Sequence, residues 1–131
     1  MKILDSDTCI AILRGDARVL ARRQADPDEV ATTWITAAEL YFGAAKSSAP
    51  ENNRALVARF LATLPVLTPD IAAAQVFGEA KALLRRVGTP VADADLIVAA
   101  IAIRHGAVVV TGNTRHFARI PGLHTLDWMR G

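Results

Sequence analysis

Four residues have the chemistry to act together on a substrate: Asp5, Glu39, Asp95 and Asn113. Asp5 closes a short apolar run, Glu39 and Asp95 sit early in helical stretches, and Asn113 follows the run AVVVT. No Lys or Arg adjoins any of them in the chain. Carboxylates brought close repel one another, and crowding favours protonation of one. A site made of three of them and an amide carbonyl therefore calls for a cation at neutral pH. Oxygen ligands select hard ions, so the expected ion is Mg²⁺ or Mn²⁺, with Asp5, Glu39 and Asp95 as candidate ligands. A held ion lowers the pKa of its water and stabilises charge on a phosphodiester under attack, which points to metal-dependent phosphodiester hydrolysis.

Each position has a second, purely structural reading. Asp5 can cap the first helix. Thr36-Ala37-Ala38-Glu39 fits a capping box. Asp93 and Asp95 stand where acids favour the positive end of a helix, and for Asp93 a cap is the better reading. Asn113-Thr114 is an ordinary turn pair, and Asp7 reads either as an acid supporting the site or, the favoured reading, as a surface residue of the first helix. No single position decides between the readings; the joint placement does.

That placement follows from the elements. Residues 2–4 are a short strand, 6–14 and 16–25 two helices, and 29–35 (EVATTWI) a β-branched, aromatic strand. Helices follow at 36–46 and 52–64, the latter with Leu56, Phe60 and Leu64 on one face. Residues 65–67 form a brief strand. Thr68-Pro69-Asp70 opens a long helix to Val87, with Pro69 suited to its first position and Ala73, Phe77, Ala80, Leu84 and Val87 as its buried stripe. Residues 93–105 are apolar nearly all round, as in a helix buried on most sides. The run 107–111 is a strand covered on both faces. A polar loop with one helical turn at 115–118 leads to an edge strand at 123–126. Alternating strands and helices predict an α/β fold, a three-layer α/β/α sandwich with a mostly parallel central sheet. In such folds ligands bind outside the carboxyl ends of the strands, where Asp5, Glu39, Asp95 and Asn113 should all fall.

Composition narrows the class. The 131 residues read as one domain spanning 1–131, without repeat or linker. Hydrophobic residues make up 52%, and the net charge is only +2, which excludes a disordered chain. A single cysteine excludes a disulfide scaffold or a multi-thiolate zinc site. No apolar run spans a membrane, and the acid at position 5 excludes a secretory signal, so a cytoplasmic protein is expected. No Gly-rich phosphate loop is present, which argues against a nucleotide cofactor. Cys9 reads as a small buried hydrophobe, His105 as a helix C-terminal residue, and His116 and His124 lack metal spacing. Trp34 and Trp128 read as packing residues, and Arg14, Arg18 and Arg22 as a solvated face. Arg115 and Arg119 follow Asn113 and could hold RNA phosphates.

Taken in order, Leu4-Asp5-Ser6-Asp7, Thr36-Ala37-Ala38-Glu39-Leu40, Asp95-Leu96-Ile97-Val98-Ala99-Ala100 and Val110-Thr111-Gly112-Asn113-Thr114-Arg115-His116-Phe117 resemble the signature segments of PIN-domain ribonucleases. The likeness is greatest to the VapC toxins of bacterial toxin–antitoxin pairs and runs from residue 2 to about residue 128. It implies a PIN α/β/α sandwich and a Mg²⁺- or Mn²⁺-dependent endoribonuclease. Asp5, Glu39 and Asp95 match the family's acidic metal positions. Asn113 matches the fourth, where many members carry Asp, and completes the catalytic set. Thr111 matches a small hydroxyl position near the site and joins Arg115 and Arg119 as an RNA-binding candidate. Asp7 stands where Asn is more usual. The resemblance further implies a homodimer and a tight complex with a VapB-type antitoxin, whose tail covers the acidic groove and often places an Arg there; a carboxylate pocket suits that guanidinium fork.

Two other classes are open. A catalytically silent PIN domain could serve as an RNA- or protein-binding module. A phosphoacceptor receiver domain has a similar sheet, but it needs an Asp ending the third strand and a Lys ending a late one. Here those positions hold Leu67-Thr68-Pro69 and Thr111, so both requirements are missed.

Overall fold

The computed structural model describes residues 1–130. Its elements run β1 (Lys2–Leu4), α1 (Ser6–Leu13), α2 (Ala17–Ala25), β2 (Val30–Thr33), α3 (Trp34–Ala45), α4 (Pro50–Leu61), β3 (Val66–Leu67), α5 (Ile71–Arg86), α6 (Asp93–Arg104), β4 (Val108–Val110), α7 (Thr114–Phe117) and β5 (His124–Leu126). The five strands form one sheet in the order β3-β2-β1-β4-β5, and every pairing is parallel. Ile3 faces Ala31 on one side and Val109 on the other.

Strand alternation sends neighbouring side chains to opposite faces, and each face has its own core. Ile3 and Val109 pack against Ala73 and Leu84 of α5, Leu96, Ala99 and Ile101 of α6, and Phe117 of α7. Leu4 and Val110 pack against Cys9 of α1, Val19 of α2, Leu40 of α3, Val57 and Phe60 of α4, and Trp128. Helices on both faces make the expected three-layer α/β/α sandwich. No helix among the described residues is long and apolar enough to cross a membrane.

Several boundaries differ from the sequence reading, each for a local reason. The strand expected at 29–35 ends at Thr33, whose hydroxyl accepts from the Thr36 N–H at 3.2 Å and starts α3 at Trp34. Glu39 is then a full turn and more inside the helix, so the capping box at Thr36 does not exist. Trp34 lies on the outer face of α3 and is 54% exposed, not packed. Asp70, not Thr68, caps α5 by accepting from the Ala73 N–H at 2.8 Å, which leaves Pro69 outside the helix. Val87 falls on the C-cap of α5 and is 62% exposed, so the buried stripe stops at Leu84. In α4, which begins at Pro50, Val57 is buried and Leu56 is exposed. Cys9 is a free, buried thiol, and burial pushes it up to about 12.

Candidate active site

The sheet order reverses beside β1: the chain goes from β1 to β2 on one side, and β4 is inserted on the other. Such a switch point opens a crevice outside the strand ends. Two hydrogen bonds to one carbonyl tie the start of α1 to β4 beside it. The Asp5 N–H donates to the Val110 carbonyl at 3.0 Å, and the Thr8 hydroxyl donates to the same carbonyl at 3.0 Å.

Asp5 occupies the N-cap position of α1 with extended backbone, yet its side chain makes no capping bond. The carboxylate turns inward instead, with the residue only 5% exposed. It accepts from the Thr111 hydroxyl at 3.0 Å. Burial pushes its pKa up to about 6; the Asp7 and Asp95 charges add to the rise, while the Ser6 N–H and the Thr111 hydroxyl oppose it.

Thr111 is wholly buried. Its oxygen also accepts from the Asn113 N–H at 3.0 Å, so its hydroxyl is engaged in both senses. Thr111 therefore points into the site, with its hydroxyl spent on Asp5 and the Asn113 backbone. Asp7 is turned the same way. Its Oδ2 accepts from the Gly112 N–H at 2.9 Å and its Oδ1 lies 3.5 Å from the Thr111 hydroxyl, so it faces the crevice and not the outer surface of α1.

α6 supplies Asp95 from its first turn. Asp93 does not cap this helix; it is exposed and pairs with Lys81 at 3.0 Å. Asn113 precedes α7 without capping it. Its Nδ2 lies 3.1 Å from His116 Nδ1, and that nitrogen is 3.9 Å from Asp95 Oδ2. His116, which has no partner at metal-ligand spacing, thus belongs to the site's surroundings through its i, i+3 step from Asn113.

Asp5, Asp7, Asp95 and Asn113 line one open cavity of about 330 Å³, together with Ser6, Gly112, Met129 and Arg130. Met129 and Arg130 gave no sequence signal; the buried Trp128 beside them sets the path of the tail. Glu39 is placed differently. It borders an adjoining groove of about 690 Å³ between α1, α3 and α4, and Ser6 borders both spaces. Burial and the Asp95 charge raise the Glu39 carboxyl above its ordinary value. Arg115 and Arg119 are exposed on α7 and just beyond it.

Among the described residues no three His, Cys, Asp or Glu side chains are drawn close enough to hold an ion by themselves. Mg²⁺ usually binds through one or two carboxylates and keeps several waters. The cavity offers carboxylate and amide oxygens, with Asp5 buried among like charges. This donor set fits a hard divalent cation bound partly through water.

A profile of the PIN domain family matches residues 2–123. The chain belongs to the PIN-domain family. Within it, the chain is 41% identical over 127 residues to a tRNA(fMet)-specific endonuclease VapC of Salmonella typhimurium, covering 96% of each. It is 34% identical over 128 residues to a ribonuclease VapC2 of Haemophilus influenzae, covering 97% of each. The PIN fold here superposes on a chain of the DNA-bound VapBC structure from Salmonella typhimurium with a TM-score of 0.92, at 41% identity and 97% coverage of both chains. These likenesses place the chain in the VapC branch of the PIN family.

Proposed function

We propose that residues 1–131 form a single PIN domain acting as a VapC-type toxin, an endoribonuclease dependent on Mg²⁺ or Mn²⁺. The carrying observation is the cavity at the β1/β4 switch point, where buried Asp5 meets Asp7, Asp95 and Asn113. Asp5 and Asp95 would hold the ion, with Glu39 bound directly or through water from the adjoining groove. When bound, the ion lowers the pKa of water and stabilises negative charge on the phosphodiester. Thr111 fixes Asp5, and the Asp7–Gly112 contact fixes the loop that carries Asn113. Asn113 orients the attacking water. Arg115 and Arg119, exposed on α7 and just beyond it, position the RNA backbone through its phosphates.

The Salmonella relative supports tRNA(fMet) as the first substrate to assay. The VapBC complex supports a VapB-type antitoxin as partner, and the acidic cavity suits an arginine from it. A homodimer and a reducing, cytoplasmic setting with Cys9 unpaired complete the reading. A catalytically silent binding module is the second reading, and metal-dependent cleavage of RNA separates the two.

The test is cleavage of transcribed tRNA(fMet) by the purified chain. Mn²⁺ or Mg²⁺ should support it and EDTA should abolish it. Asp5→Asn and Asp95→Asn should each abolish it with unchanged circular dichroism. Cleavage at the wild-type rate by Asp5→Asn, or in excess EDTA, would contradict the mechanism.

A further inference from the structure

We infer that His116 is a positioning residue: it accepts a hydrogen bond from the Asn113 carboxamide and thereby fixes which end of that amide faces the acidic cavity. The inference rests on the reading of Asn113 as part of the site. A carboxamide has two unlike ends, a donor-only nitrogen and an acceptor oxygen. Nothing in α7 consumes either one, because Asn113 makes no side-chain cap. Among the described residues its side-chain hydrogen-bond partner is His116, with Nδ2 and Nδ1 3.1 Å apart, and the same Nδ1 lies 3.9 Å from Asp95 Oδ2.

Both partners are held in place by their backbones. The Asn113 N–H is bound to buried Thr111, the His116 N–H donates to the Asn113 carbonyl at 3.2 Å, and wholly buried Phe117 anchors the turn. With Nδ2 committed to His116, the oxygen is the end left for the cavity. An acceptor there suits a cation or an oriented water. The reversed amide would present N–H groups to Asp5, Asp7 and Asp95 and repel a cation. The two arrangements demand different imidazoles: Nδ1 must carry a lone pair in the first and a proton in the second. An Asp at position 113 has two equivalent oxygens and needs no such help, so the requirement for His116 belongs to the asparagine.

The test combines ¹⁵N-resolved NMR of the wild-type imidazole at pH 8 with single-turnover RNA cleavage by five variants: His116→Ala, His116→Gln, Asn113→Ala, Asn113→Asp and the Asn113→Asp/His116→Ala double variant. The NMR spectrum should show a bare Nδ1 and a protonated Nε2. His116→Ala should slow cleavage by about 10- to 100-fold, the usual range for a partner that orients a site ligand. His116→Gln, whose carbonyl can accept from Asn113, should recover most of the rate. In the Asn113→Asp background the His116→Ala loss should fall below about twofold, since a coupled pair is not additive. An equal loss in both backgrounds, or a proton on Nδ1, would overturn the assignment. The spectrum decides it even if His116→Ala fails to fold. Wild-type cleavage by Asn113→Ala would instead remove Asn113 from the site, a failure of the functional reading that the imidazole spectrum would not reproduce.

Discussion

The Thr111 hydroxyl oxygen lies 3.0 Å from Asp5 Oδ2, so the residue after β4 donates a hydrogen bond to the residue after β1. Both side chains are buried, and the bond joins positions at opposite ends of the chain. Thr111→Val keeps the shape and removes the donor. The buried carboxylate then loses a bond to its charged form, at a cost of about 1–3 kcal/mol. Urea unfolding of the metal-free protein should show this loss, and RNA cleavage should fall with it. Thr111→Ser should retain most of both.

The raised pKa of Asp5 predicts a pH dependence in the absence of metal. Folding holds the proton more tightly than the unfolded chain does, with about 6 against an ordinary 3.8. The associated stability is complete below the ordinary value and is lost as pH rises through about 6. Metal-free wild type should therefore be less stable at pH 7.5 than Asp5→Asn, by up to about 3 kcal/mol for a two-unit shift. The difference should vanish near pH 4. Urea midpoints with EDTA across this range would check it, and a wild type more stable than Asp5→Asn at pH 7.5 would refute it.

Gly112 makes a close approach to two side chains, and its dihedral angles are ordinary. A Cβ there would collide with Met129 Cε and sit 3.0 Å from Asp7 Oδ2. Gly112→Ala should cost about 1–3 kcal/mol through overpacking. Met129→Ala in the same chain removes one of the two obstacles and should recover part of the loss. Differential scanning calorimetry of the three variants reads the comparison directly.

The layers and the carboxyl-end placement of the acids are readable because acids at strand ends and near-continuous apolar runs are local patterns; the strand order that makes the switch point is not. The α/β/α sandwich and its parallel sheet follow from them. The start of α3 was not readable: Trp34 and Ile35 favour strands, but the Thr33 hydroxyl ends β2 by capping the helix. Asp7 reaches the cavity only because Gly112 brings its backbone N–H alongside, a contact between residues remote in sequence. The same holds for Thr111, whose burial depends on the edge strand β5 and its Leu126 carbonyl, which accepts from the Thr111 N–H at 2.9 Å. Glu39 borders the adjoining groove across Ser6, where the Asp95 charge still acts on it, and a division of the crevice into two spaces has no local sequence pattern.

The most direct measurement is anomalous diffraction from crystals of the chain grown with Mn²⁺. A peak among the oxygens of Asp5, Asp95 and Asn113 is expected, absent from Asp5→Asn crystals grown the same way. A fully occupied ion elsewhere on the surface, with these side chains bound only to water, would contradict the assignment of this crevice as the metal centre.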